Sequence, residues 1–197
     1  MANLSGFDHR ALKDTRLRRA AVAIVVVRNP KDDGASVLLT LRPGHLERHS
    51  GQYALPGGRL DGEESPVEGA LRELREELGL ELGAEHVLGR LDDYPTRSGF
   101  RIAPFVMWAE DPVEIRPDPD EVAKVFHITM TELDSPEIPR LSDAAEGEKQ
   151  VLSAELPTLG HRIYAPTAAM LYQFREVAGR GTPTRVAGYD QPTFAWR

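Results

Sequence analysis

Glu73, Glu76 and Glu77 stand inside one five-residue window of a 197-residue chain. If that window is helical, Glu73 and Glu77 are one turn apart, where like charges cost a helix roughly 0.2–0.5 kcal/mol. A helix that needs only solubility alternates lysine with glutamate. Carboxylates gathered along one side suit a hard divalent cation instead, because Mg²⁺ takes carboxylate oxygens together with water and substrate phosphates. The competing reading is a charged helix face partly neutralised by Arg72 and Arg75, and the three glutamates alone do not separate the two.

The local sequence builds the helix these residues need, over 66–78. Ser65-Pro66-Val67-Glu68 supplies an N-cap, a proline in the first turn and a glutamate three residues on that closes a capping box. Gly79 supplies the stop. At about 100° per residue, Val67, Ala70, Leu71, Leu74 and Leu78 fall in one apolar arc that must face a core. Glu73 and Glu77 border this arc, Glu76 lies a step further round, and Glu68, Arg72 and Arg75 take the opposite flank.

Residues 20–27 form a continuous apolar run rich in β-branched side chains, as in a strand covered on both faces. Turn chemistry from Asn29 to Gly34 and a second strand at 36–41 make a hairpin. Residues 44–58 read as loop with a short extended piece at 52–55. Further strands are expected at 87–91, 101–109, 122–128 and 161–164. An irregular acidic stretch around a short helical turn is expected at 131–149, and an amphipathic helix at 167–177. Strands surrounding a central helix, with another helix near the end, indicate one mixed α/β domain. Its expected limits are 20–178, preceded by an arm or short helix (1–19) and followed by an ordered tail (179–197). Tyr189, Phe194 and Trp196 are the candidate tail anchors, on this chain or on a partner.

The composition narrows the function classes. The chain has 31 acidic residues against 24 Lys plus Arg, a net charge of −7, and no cysteine. Disulfides, thiolate metal sites and a cysteine nucleophile are excluded, consistent with a reducing interior. The acidic balance argues against a non-specific nucleic-acid binder, and raises the question of what would hold a polyanionic substrate. The longest apolar run, 20–27, is far short of the roughly 20 residues that span a bilayer. Arg16, Arg18 and Arg19 precede it, but no small-residue cleavage site follows. The expectation is a soluble, cytoplasmic protein with no membrane partner. His127 and His161 fall within apolar strand patterns and read as core or edge residues.

Gly57-Gly58, Glu64, Arg72-Glu73, Glu76-Glu77 and Gly79 fit the spacing G-x5-E-x7-R-E-U-x-E-E-x-G-U, with Leu74 and Leu80 as the bulky aliphatics U. At ordinary residue usage, seven fixed positions coincide by chance in about one chain of this length per million. This stretch, Gly58 to Leu80, resembles the signature of the Nudix hydrolases. The resemblance implies an α/β/α sandwich around a mixed β-sheet, with the motif as loop–helix–loop. It further implies that Glu73, Glu76 and Glu77 bind Mg²⁺ or Mn²⁺, that Arg72 and Glu64 hold those ligands in place, and that the Gly58 carbonyl joins the metal shell. The implied reaction is attack of water on phosphorus in a nucleoside diphosphate linked to another moiety. Cations then hold the polyanion, so the protein need not be basic. A base or further ligand is expected beyond the helix, and Glu121, opening the 122–128 strand, is favoured over Asp118 and Asp120.

Upstream, Leu38, Leu39, Thr40, Arg42, Gly51, Pro56, Gly57 and Gly58 match in register the segment L-L-T-x-R-[SA]-x3-R-x3-G-x3-F-P-G-G, which resembles that of the coenzyme A pyrophosphatase subgroup. Pro43, Glu47 and Leu55 depart from it, with Arg48 one place beyond the missing arginine. The resemblance implies cleavage of coenzyme A to 4′-phosphopantetheine and adenosine 3′,5′-bisphosphate, with Arg42, Arg48 and His49 as phosphate contacts. The alternatives are a Nudix enzyme acting on ADP-ribose, NADH or a damaged nucleoside triphosphate, and a non-catalytic Nudix-fold sensor. Members of the family often dimerise, so a homodimer is a further expectation.

Overall fold

The structure is a computed structural model and describes residues 2–32, 34–44, 51–110, 113–143 and 148–192. A short helix α1 (Ala2–Ser5) precedes β1 (Arg18–Arg28), β2 (Ala35–Leu41), β3 (Tyr53–Ala54) and β4 (Gly57–Arg59). Helix α2 (Pro66–Leu78) follows, then β5 (Val87–Arg90), β6 (Tyr94–Pro95), β7 (Phe100–Trp108) and β8 (Lys124–Thr129). The chain continues through α3 (Met130–Leu133), β9 (Arg140–Leu141), β10 (Leu152–Leu156), β11 (His161–Tyr164) and α4 (Thr167–Phe174).

The main sheet has the order β3-β2-β1-β7-β5, with β4 on β1, β6 on β7 and β8 on β2. β1 and β7 run parallel over Arg18–Val26 and Phe100–Trp108, and the other pairings are antiparallel, so the sheet is mixed. β1 explains how it is covered. Ala21, Ala23, Val25 and Val27 point to Ala70, Leu74 and Leu78 of α2. Val22, Ile24 and Val26 point the other way, to Ala168, Leu171 and Phe174 of α4 and to the small β9–β10–β11 sheet. A strand buried on both faces must read as unbroken apolar sequence, and β1 does. The α/β/α sandwich around a mixed sheet is therefore the observed architecture.

Before β1 the chain is helical at Ala2–Ser5 and non-helical from Asp8 to Asp14, both within the arm or short helix that the sequence allowed over 1–19. Several elements differ from the sequence expectation. The strand expected at 122–128 begins at Lys124, because Val122 is drawn down into the core as part of the preceding turn. β10 was not foreseen. Its LSAEL sequence is buried at four of five positions and carries no clear alternation. α4 is not amphipathic. Seven of its eight residues are buried, since the main sheet, the small sheet and the C-terminal segment enclose it. It ends at Phe174 and passes into a wider π turn, Arg175–Gly179. His127 is half-buried beside Ser36, with Oγ 3.1 Å from its Nδ1, and His161 is exposed on β11.

Both chain ends are tied to the sandwich through buried Asp92. Its carboxylate accepts the Arg10 backbone N–H at 2.7 Å, Gln173 Nε2 at 2.9 Å and Arg185 Nη1 at 2.7 Å. Further along, Tyr94 donates its hydroxyl to the Tyr189 carbonyl at 3.0 Å, and Arg97 Nε bonds Asp190 at 2.6 Å. The tail thus lies against its own chain as far as residue 192. Phe194 and Trp196 lie outside the described residues.

Candidate active site and metal centre

α2 forms for the reasons its sequence supplies. Ser65 Oγ accepts the Glu68 N–H, and Glu68 Oε2 accepts the Ser65 N–H at 2.8 Å, closing the capping box. Gly79 ends the helix at φ 65°, where a Cβ would sit 3.1 Å from the Arg116 backbone carbonyl oxygen. Docking its apolar arc on β1 carries the Glu73–Glu77 edge to the rim of the sheet beside β4. The Arg116 N–H donates to the Leu78 carbonyl and the Asp118 N–H to the Glu77 carbonyl, at 2.8 and 3.0 Å. These bonds fasten the 116–122 turn to the end of the helix. Glu121 consequently sits in a turn, with its N–H donated to the Asp118 carbonyl, and not in the strand where the sequence placed it.

Oxygens of Glu73, Glu77 and Glu121 lie within 4.8 Å of one another. Glu77 is buried, with its carboxylate accepting the Gly57 N–H at 3.2 Å and facing Arg42 Nη1 at 3.7 Å. Burial above all, and then the neighbouring Glu73, push its pKa up to about 8, against the opposing pull of the Gly57 N–H and Arg42. Burial also pushes Glu73 upward, against the pull of Arg72. The two glycines of the motif make this approach possible. Gly57, at φ 148°, leaves no room for a Cβ beside Ala21 O and Val22 Cα, and a Cβ on Gly58 would overlap the Glu73 carboxylate.

Arg72 joins the remaining acids. Its Nε and Nη2 bond Glu64 at 3.0 and 3.2 Å, its Nη1 bonds Glu73 at 3.0 Å and Glu76 at 2.8 Å, and Nη2 also reaches the Arg59 carbonyl at 2.9 Å. The guanidinium holds Glu64 below the usual carboxylate range, and Glu64 in turn tightens the proton on Arg72. Glu76 is 47% exposed and lies on Arg72 at the rim, not among the clustered oxygens.

The donors converging here are hard carboxylate oxygens, with no histidine or sulfur among them. Two of the three carboxylates are held in a neutral-favouring environment, which a divalent cation relieves by replacing the proton. The cluster fits a divalent metal ion. Arg42, the candidate phosphate contact, lies beside Glu77, and its Nε is buried without a partner among the described residues. The Arg42–Glu77 and Gly57–Glu77 contacts were missed from sequence because they join residues 35 and 20 positions apart. Arg48 and His49 lie outside the described residues. A concavity of about 570 Å³ between Arg28–Asp32, Val113, Ile115 and His127 contains none of these carboxylates.

The sequence model of the NUDIX domain matches residues 17–153, well over half the chain. The chain belongs to the Nudix family. It is 40% identical over 114 residues to a protein of Yersinia enterocolitica serotype O:8 / biotype 1B named "Uncharacterized Nudix hydrolase NudL", covering 57% of each. A protein of the same name from Yersinia pestis (strain Pestoides F) is 37% identical over 116 residues, covering 58% of this chain and 57% of that one. The similarity thus spans little more than half the length of these relatives. Among solved structures, a MutT/nudix family protein from Enterococcus faecalis superposes with a TM-score of 0.54 at 19% identity, over 87% of this chain and 67% of the other. That likeness concerns the fold alone. The Nudix motif from Gly58 to Leu80 lies within the matched domain and contains every acid on Arg72. Among the described residues, no helix is long and apolar enough to cross a membrane.

Proposed function

We propose that this Nudix protein hydrolyses nucleoside diphosphates linked to another group, with a divalent ion held by Glu73, Glu77 and Glu121, and that its substrate is coenzyme A. The observation that carries the hydrolase reading is the cluster of those three carboxylates beside the Arg72 hub. Support for coenzyme A comes from the in-register segment Leu38 to Gly58, whose Arg42 reaches the carboxylate cluster.

Mg²⁺ or Mn²⁺, when bound, neutralises the diphosphate and acidifies water. Glu73 and Glu77 would hold the ion from the helix and Glu121 from the facing turn, and the Glu121 oxygen left free of the ion would receive the proton of the attacking water. Glu76 adds a carboxylate at the exposed rim. Arg72, clamped by Glu64, fixes the rotamers of Glu73 and Glu76, and the Gly58 backbone gives the Glu73 carboxylate its room. Arg42 exchanges Glu77 for a phosphate oxygen, to which a guanidinium pairs bidentately. Arg48 and His49, in the sequence just before Gly51, contact the same phosphates. Water adds to one phosphorus and the bridging oxygen leaves with the other, giving 4′-phosphopantetheine and adenosine 3′,5′-bisphosphate.

The test is a panel of coenzyme A, ADP-ribose, NADH and a nucleoside triphosphate with Mg²⁺, with products identified by chromatography. Coenzyme A turnover that vanishes in Glu77→Gln, with the far-UV circular dichroism unchanged, is the expected result. Brisk ADP-ribose cleavage without coenzyme A turnover overturns the substrate. Hydrolysis that survives Glu77→Gln overturns the metal assignment.

A further inference from the structure

A second cleft, about 380 Å³, opens on the α2 side of the sheet at the start of that helix, lined by Arg19, Arg90, Arg101, Asp93, Leu60 and Pro66, with alanines 11, 20 and 103. None of the clustered glutamates borders it. Arg19 and Arg101 are direct neighbours across the parallel β1–β7 pair, and both share the face of Ala21, Ala23, Ala103 and Phe105. Like charges opposite one another destabilise a sheet, so this pairing needs a compensating charge. The protein supplies little. Arg19 donates to the Glu64 carbonyl and Arg101 to the Leu12 carbonyl, both neutral acceptors, and the Glu64 carboxylate, near enough to feel Arg19, is bonded to Arg72. Asp14 lies near enough to feel Arg101 but bonds Arg16. Asp93 is the one carboxylate lining the cleft, and it is engaged by Arg90 and by the Leu12 N–H at 2.9 Å. Arg90 still keeps its Nε buried without a partner among the described residues.

Three guanidiniums, each with five donors in a planar fork, therefore converge on a small concavity with one committed carboxylate. We propose that this cleft binds a phosphate-class oxyanion, either inorganic phosphate or the phosphoryl group of a small phosphomonoester, separately from the catalytic centre. Its volume admits a small ligand and not a dinucleotide. Arg19 also touches the backbone of Glu64, the residue that clamps Arg72, so the cleft adjoins the segment that carries the Nudix motif.

The experiment is a titration followed by ¹H–¹⁵N correlation spectra in EDTA, at ionic strength matched with sodium chloride. Inorganic phosphate and glycerol phosphate are added separately. Saturable shifts centred on residues 11–12, 19, 90 and 101 are expected. Response to inorganic phosphate alone identifies the free ion as the ligand, and response to both identifies a phosphomonoester site. Arg101→Met should weaken binding about tenfold, the usual consequence of losing one hydrogen bond to a charged group. Ala11→Asp, on an exposed position at the cleft, introduces a repelling carboxylate without disturbing the core and should abolish it. Arg42→Met, at the metal cluster, should leave the shifts at residues 19, 90 and 101 unchanged. Non-saturating shifts, shifts at Arg42 without any at residues 19, 90 and 101, or equal affinity in Ala11→Asp overturns the proposal.

Discussion

Arg72 grips Glu64 through two parallel hydrogen bonds, Nε to Oε1 at 3.0 Å and Nη2 to Oε2 at 3.2 Å, while its Nη1 is shared between Glu73 and Glu76. The planar fork is what allows one side chain to orient three carboxylates. Lysine cannot reproduce it. Arg72→Lys should therefore weaken Mn²⁺ binding by about 10- to 100-fold, the range typical of groups that support metal ligands. Electron paramagnetic resonance of free Mn²⁺ measures this directly, and wild-type affinity in the variant would remove Arg72 from its orienting role.

Gly58 faces the same carboxylate from the sheet. A methyl group there overlaps Glu73 Oε1, and the contact is with a carboxylate oxygen pinned by Arg72 and not with a free side-chain end. Gly58→Ala should lower metal affinity and turnover together by at least about tenfold, with secondary structure retained. Unaltered Mn²⁺ affinity would show that Glu73 can move aside without loss.

The Glu77 pKa of about 8 lies above its ordinary 4.5, so the folded, metal-free protein binds a proton that the unfolded chain releases. The corresponding stabilisation is complete below pH 4.5 and is lost as pH rises through about 8. Inside that window the slope is up to about 1.4 kcal/mol per pH unit. Glu73, shifted in the same direction, adds to it. Urea denaturation in EDTA across the window should show stability falling with pH, and Glu77→Gln should flatten the curve. Equal slopes in the two proteins would contradict the burial argument. Saturating Mg²⁺ should restore stability at the alkaline end, where the carboxylates are free of protons.

Asp92 holds the N-terminal arm, α4 and the tail at one buried point, where Arg185 also stacks over Phe7 with its guanidinium carbon 4.5 Å from the ring centre. Asp92→Ala leaves the partly exposed Arg185 guanidinium and the buried Gln173 amide without their carboxylate, a loss of about 2 kcal/mol. Limited trypsin digestion should then cut both the 8–18 arm and the 180–185 segment early. Cleavage confined to one end would show that the two are held independently.

The chemistry-bearing part of the site was legible because it is local. The capping box, Gly79 and the apolar arc dictate a helix over 66–78, and its periodicity alone puts Glu73 and Glu77 beside the buried edge with Glu76 further out. The structure shows that gradation, from buried Glu77 to half-exposed Glu76. β1 was legible for a similar reason, since a strand covered on both faces has no polar position to disguise it. β10 and α4 were misread because a short buried segment shows neither period clearly. The position of Glu121 was misread because Val122 belongs to the core while its neighbours belong to a turn.

What the sequence by itself determined, then, is the central helix, the spacing of its carboxylates and the glycines that must lie against them. These follow from backbone sterics and from one helical period. Only the tertiary structure decided that Glu121 meets Glu73 and Glu77, that Arg42 faces Glu77, that Arg19 and Arg101 are neighbours, and that one buried aspartate secures both chain ends. Each of these contacts depends on strand order and register. Those are settled by how the whole core packs, and no local stretch of residues encodes them.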